Sequence, residues 1–192
     1  MSKLQTVYSP MMRFFHWIMA VGFIFMWACG YAMTTLVPDD GALEEILFML
    51  HISVGVTLLG LFLARVINRF RSKIPAPLEA FSKFEVKIAH LGHFALYALI
   101  FVALIGGWAE VDLGGHGVKW FGIEMPKIFP TMEFYAGINV EELSETVHKY
   151  AAYGLLGLTI FHIGAVIKHR RDGHDVLPRM LPNHGKTTDV TK

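Results

Sequence analysis

The stretch VHKYAAYGLLGLTIFH (147–162) sets two imidazoles, His148 and His162, into an otherwise apolar run. Fourteen residues make almost four α-helical turns, so the two side chains share a face within roughly 40° and stand about 21 Å apart along the axis. Two more histidines sit in apolar surroundings: His16 in RFFHW (13–17) and His51 at the head of HISVGVTLLGLFLARVINR (51–69). Imidazole ligates metals and carries protons, and ionisable groups among lipid-facing residues are costly enough to point to function. Three chemistries suit four such groups. They are axial ligation of haem iron, a proton or metal-ion path, and hydrogen-bonded cross-links between helices. Two imidazoles on one iron fill both axial positions, which suits electron transfer rather than gas binding.

The elements that must position these side chains are legible in the composition. Of 192 residues, 54% are of hydrophobic types and 17% are charged, against about 25% charged in soluble domains. A membrane-crossing helix needs about 20 apolar residues. Four stretches supply them, at 11–33, 46–67, 88–108 and 147–167. Backbone groups in lipid must be satisfied within their own segment, so each stretch is expected to be a helix. The apolar core of the first is too long for a cleaved signal peptide and no small-residue cleavage site follows, so it reads as a retained span. The expected fold class is all-α, a transmembrane four-helix bundle filling 1–182 as one domain, with 183–192 as a mobile C-terminal tail. The net charge of +1 gives no reason to expect a nucleic-acid partner.

Loop charges suggest an orientation. Asp39, Asp40, Glu44 and Glu45 mark the first connection, and seven acids face only Lys119 and Lys127 in segment 109–146. Arg69, Arg71, Lys73, Lys83 and Lys87 lie in 68–87, and Lys168, Arg170, Arg171, Arg179, Lys186 and Lys192 follow the last span. Basic residues near span ends mark the cytoplasmic side, so both termini are expected there. Depth then pairs the histidines. His16 and His162 both lie shallow on the inner side, while His51 and His148 lie near the outer side. Gly55, Gly60, Ala151, Ala152, Gly154 and Gly157 could admit a flat ring between helices, although glycine also serves close helix packing. Asn139 followed by Glu142 resembles a capping box and suggests that helix four begins there, before its apolar stretch.

In their order and spacing, RFFHW, the 51–69 segment, AHLGHFALYALI (89–100), VHKYAAYGLLGLTIFH and LPRMLP (177–182) resemble the bacterial cytochrome b561 family across 8–182. The resemblance implies a multi-pass protein of the bacterial inner membrane holding two non-covalent haem b groups. The inner iron would lie between His16 and His162, and the outer iron between His51 and His148. It also implies electron exchange with ubiquinone or a similar quinone, with superoxide or a periplasmic redox partner as a donor. Under this reading Arg13, Arg65 and Arg69 are candidates to bind haem propionates; snorkelled anchoring at the membrane edge is the alternative.

Other residues carry less. His90 and His93 share a face three residues apart and suit alternative ligation, a proton relay or interfacial anchoring. His116 in GGHG (114–117), and Lys119, Lys127 and Lys149, could touch a quinone or steer an anion, or could be ordinary surface groups. Trp17, Trp108, Trp120, Tyr31 and Tyr150 fit interfacial belts. No side chain stands out as catalytic. The single cysteine, Cys29, excludes an internal disulfide and the Cys-x-x-Cys-His haem attachment. Competing functions are a cytochrome b anchor subunit passing electrons between quinol and a partner enzyme, a His-lined metal or proton transporter, and a scaffold.

Overall fold

The computed structural model describes residues 7–39 and 41–181; the expected tail at 183–192 lies outside them. Four helices dominate: α1 (Pro10–Tyr31), α2 (Ala42–Arg71), α3 (Lys83–Leu113) and α4 (Val140–Arg171). Each is long and apolar enough to cross a membrane. The helices α2, α3 and α4 run past both ends of the apolar stretches that announce them, and side-chain caps in the polar flanks open α3 and α4. Ser9 accepts from Met12 N at 3.3 Å and Pro10 opens α1, a position where its missing N–H costs nothing. Asn139 Oδ1 accepts from Glu142 N at 3.0 Å and starts α4, as its sequence suggests. A full capping box opens α3. There Ser82 Oγ accepts from Glu85 N at 3.2 Å while Glu85 Oε2 accepts from Ser82 N at 2.9 Å. Acids in the first turn of α2 and bases in its last, Glu44 and Glu45 against Arg69 and Arg71, complement the helix dipole. Beyond α4, the hydrogen bond from Lys168 at 2.6 Å holds the Asp172 carboxyl below its usual range.

The bundle is built of two antiparallel hairpins, α1–α2 and α3–α4, joined along a thinner α2–α3 seam. Its core is a cluster of Met19, Met26, Leu58 and Phe62, flanked by Tyr97, Ile100 and Leu104 of α3. At Gly22 the first hairpin closes tightly; a Cβ there would meet Leu58 Cδ2 at 2.7 Å. The fourth helix contributes little to this core and buries only Ser144, Ala151 and Leu155. Trp27 Nε1 of α1 reaches across to Ala152 O of α4 at 3.2 Å.

The two ends differ. At one end lies segment 114–139, which forms two short antiparallel hairpins, β1 (Lys119–Trp120) with β2 (Ile123–Glu124) and β3 (Phe134–Tyr135) with β4 (Ile138–Asn139). Both turn through consecutive positive φ values, 47° and 86° at Phe121 and Gly122, and 51° and 82° at Ala136 and Gly137. Such turns match the twist of the strands they join. Asp112 ties this segment to α3. It is 1% exposed, and its Oδ2 accepts from Trp108 Nε1, Ile128 N and Phe129 N at 3.0, 2.8 and 3.1 Å.

At the other end lie the first described residues and the segment after α4. Arg179 Nη2 donates to Ala76 O at 2.6 Å, Arg13 Nη1 to Leu181 O at 2.7 Å and Trp17 Nε1 to Met180 O at 2.8 Å. This strap joins α1 to the connection between α2 and α3. All four tryptophan N–H groups therefore have partners within the chain, Trp120 through Thr57 Oγ1 at 3.0 Å. Trp108, read from sequence as a belt residue, is buried against Asp112 instead.

Candidate functional site

The face of α4 that carries His148 and His162 also carries Ala151 and Leu155, and it looks towards different helices at its two ends. At the loop end, His148 meets His51 of α2, with ring centroids 6.0 Å apart and planes at 87°. At the termini end, His162 meets His16 of α1, with centroids 6.4 Å apart and planes at 70°. These are the same two pairs that depth along the sequence suggests.

The loop-end pair is held by fixed backbone. His148 Nδ1 donates to Ala103 O of α3 at 2.7 Å. That bond orients the ring and leaves the Nε2 lone pair available, as ring-nitrogen partners do for metal-ligating histidines. Ser144 Oγ, one turn earlier on α4, donates to Gly106 O at 2.9 Å. The close approach depends on glycine. A Cβ at Gly107 would lie 3.0 Å from His148 Cε1 and Nδ1, and one at Gly30 of α1 would lie 3.3 Å from His51 Cε1. Both nitrogens of His51 are buried, and neither has a hydrogen-bond partner among the described residues. Burying such groups unpartnered costs about 1–3 kcal/mol, so this ring is set for a partner the polypeptide does not supply. Acids crowd the same end: Glu110 lies near Glu141 and Glu145.

The termini-end pair sits among cations and a third imidazole. Arg65 Nε donates to Tyr97 OH at 3.0 Å, and Arg65 and Arg69 stand over the Tyr97 ring at 5.4 and 6.0 Å. Arg65 Nη2 approaches His16 Nδ1 at 3.4 Å, long for a charge-assisted bond. Neither Arg65 nor Arg69 has a carboxylate partner among the described residues. Arg13, the third candidate cation, is turned to the strap through Leu181 O rather than towards the imidazoles. His93 of α3 faces His162 at 5.6 Å between centroids; His93 and His90 are both exposed. His116 is also exposed, on the loop.

Of the small residues singled out from sequence, Gly60 and Gly157 have no atom within reach of a Cβ, Gly55 faces Met26 and Gly154 faces Leu99. Gly30 and Gly107 lie against the imidazole rings of His51 and His148, and Gly106 lies against the backbone and Cβ of His148. They escaped a reading that looked only along the ligand-bearing spans two and four. Among the described residues no three or more His, Cys, Asp or Glu side chains gather as a metal-ion site; two imidazoles face each other at the loop end, and at the termini end His162 faces both His16 and His93.

Comparison with known proteins agrees with this architecture. The chain is 31% identical over 176 residues to Cytochrome b561 homolog 2 of Escherichia coli (strain K12), spanning 91% of this chain and 90% of that protein. It is 28% identical over 185 residues to Probable superoxide oxidase CybB of Yersinia pestis, spanning 91% of this chain and 96% of that one. The sequence profile described as prokaryotic cytochrome b561 matches residues 7–183. With four membrane-length helices matched almost end to end, the chain belongs to the prokaryotic cytochrome b561 family of membrane electron-transfer proteins, which bind haem b.

Proposed function

We propose that this protein is a di-haem b electron carrier of the bacterial inner membrane that exchanges electrons with the quinone pool. The observation that carries the reading is the facing of two imidazole pairs across the bundle, one at each end of α4. Two imidazoles bound to one metal from opposite sides, at about 2 Å per bond, have centroids about 6 Å apart. The centroid distances of 6.0 and 6.4 Å fit that requirement, as do the unpartnered nitrogens of His51. His51 and His148 would hold one haem iron, His16 and His162 the other. Bound haem supplies reversible one-electron chemistry. The chain's part is to fix the ligands and their charges. Ala103 O holds the Nδ1 proton of His148, and Arg65 and Arg69 offer cations to propionate carboxylates. A His16 ligating through Nε2 keeps its proton on Nδ1, which turns Arg65 away from that nitrogen and frees it for a carboxylate. The basic 68–87 connection and post-α4 segment favour placing both termini on the cytoplasmic side.

Superoxide as electron donor is a second reading, favoured by the name of the Yersinia pestis relative. Glu110, Glu141 and Glu145 at the loop end argue against it, because they repel an anion; a neutral quinol or a cationic protein surface suits that end better. The decisive measurement is the visible spectrum of the purified protein together with its haem content. Two haems per chain are expected, with one lost in His51→Ala and one in His162→Ala. Two haems retained in either variant would reject the pairing.

A further inference from the structure

The β1–β2 hairpin does not stay with the rest of its loop. It runs back along α2 as far as Ser53 and Thr57. Phe121 N donates to Ser53 Oγ at 2.9 Å and Trp120 Nε1 to Thr57 Oγ1 at 3.0 Å. Thr57 stands at the middle of the 30-residue helix. Along α2, Ser53 and Thr57 lie roughly 10 and 16 Å beyond Ile46, where the apolar stretch begins. They also lie on the side of α2 turned away from its core residues Leu58 and Phe62, which share the face of His51. That back surface includes Gly60, which has nothing within reach of a Cβ. The hairpin therefore packs on the outside of the bundle at mid-helix depth.

Its composition suits that place. Lys119 and Glu124 pair across the open base, and Trp120 and Ile123 pair next to the turn. Towards the tip, Trp120, Phe121 and Ile123 are 38, 54 and 60% exposed, whereas Ser53 beneath is wholly covered. Non-helical backbone is tolerated at bilayer depth where it lies buried against protein, and the hairpin backbone lies against α2, with Val118 2% and Ser53 0% exposed. The strand ladder, Met125 N to Val118 O at 2.9 Å, and the Ser53 hydroxyl hold the hairpin backbone in place. Thr57 Oγ1 donates within α2 to Ser53 O at 2.9 Å and accepts from Trp120, while the Ser53 hydroxyl accepts from the hairpin backbone at Phe121.

We propose that residues 118–124 form a re-entrant hairpin embedded in one leaflet on the back of α2, with phospholipid acyl chains as the partner of Trp120, Phe121 and Ile123. The exposed apolar tip is continuous with the lipid-facing surface of α2, which is what argues for acyl chains as its occupant. The proposal is independent of how many haems are bound and of which way the termini face.

The test uses the full haem-loaded chain in phosphatidylcholine–phosphatidylglycerol vesicles, with Cys29 replaced by Ser. Single cysteines are placed by Ile123→Cys, by Leu63→Cys on the lipid face of α2, and by Glu133→Cys on the loop, and vesicles reconstituted with random orientation are opened by freeze–thaw so that both faces meet reagent. Ile123→Cys and Leu63→Cys should react with a charged maleimide at least tenfold more slowly than Glu133→Cys. A phospholipid with a diazirine in its acyl chain should mark the peptide containing 118–124. Ser53→Ala with Thr57→Val, two changes of little volume, should raise the reactivity at position 123 severalfold by releasing the tip. Labelling at 123 as fast as at 133 would overturn the proposal. So would efficient disulfide formation between copies at 123 without acyl-chain adducts, which would make the tip a contact between copies.

Discussion

The two ends of α4 present the same pair of imidazoles to very different surroundings. At the loop end, carbonyls and glycines fix the pair: His148 on Ala103 O, and Gly107 and Gly30 against the two rings. The nearby charges there are carboxylates, Glu110 with Glu141 and Glu145. At the termini end the pair is flanked by Arg65, Arg69 and His93, and the fixing elements are side chains. Under the proposed di-haem reading, one helix would offer identical ligands to two sites and still differentiate them, because ligand identity is only one control over a bound metal. Charge, burial and hydrogen bonds around the ligands are the others. Acids favour the more positive, oxidised form of a bound iron and guanidinium groups the reduced form. The termini-end site is expected to have the higher reduction potential.

The largest blow to this contrast should come from the loop end's anchor. Asp112→Ala removes the acceptor of three N–H groups in a buried setting. Leaving such donors unsatisfied costs about 3 kcal/mol. The expected outcome is a lower thermal midpoint and faster proteolysis within 114–139. The spectrum assigned to His16 and His162 should stay unchanged. If both spectral components shift together, the two ends do not behave as separate units.

How much of this was open to sequence reasoning follows from what each feature depends on. The four helices and the pairing of His16 with His162 and of His51 with His148 need only apolar length and axial rise, which the chain itself specifies. The start of α4 at Asn139 was readable from a local cap signal. Gly30 and Gly107 were not readable as ring spacers, because which face of α1 or α3 meets a given imidazole depends on helix rotation and interhelix distance. The return of the β1–β2 hairpin to Ser53 and Thr57 was hidden for a similar reason. A loop rich in acids looks water-exposed as a whole, although its apolar portion, VKWFGI (118–123), is short and local. Arg13 looked equivalent to Arg65 by position; its bond to Leu181 O depends on a segment far along the chain.

A smaller effect would sharpen the electrostatic side of the comparison. Arg65→Gln removes a cation that lies beside His16 and over Tyr97. Whether that guanidinium acts directly on the iron or by neutralising a propionate, its loss favours the oxidised form. The potential of the termini-end haem should fall by roughly 60 mV, a tenfold change in a one-electron equilibrium. The loop-end haem should move far less. Redox titration followed in the visible bands separates the two components, and equal shifts in both would remove the electrostatic distinction drawn between them.

The finest test asks whether the loop-end pair is sterically fixed, using two glycine substitutions of identical chemistry. A Cβ at Gly107 would press on Cε1 and Nδ1 of His148 at 3.0 Å. That ring cannot easily give way, because its Nδ1 is already bonded to Ala103 O at 2.7 Å. Gly107→Ala should therefore cost about 1 kcal/mol from overpacking, and rotation of the ring should alter the electron paramagnetic resonance signal of the loop-end haem alone. Gly60→Ala adds the same methyl group where nothing lies within 4 Å. There the gain in helix propensity, up to about 1 kcal/mol, should leave stability equal or higher and both haem signals unmoved. Opposite signs from one chemical change would place the constraint in the contact between α3 and His148. A neutral Gly107→Ala with an unaltered signal would mean that the imidazole is free to turn, and that the Ala103 bond does not set its orientation.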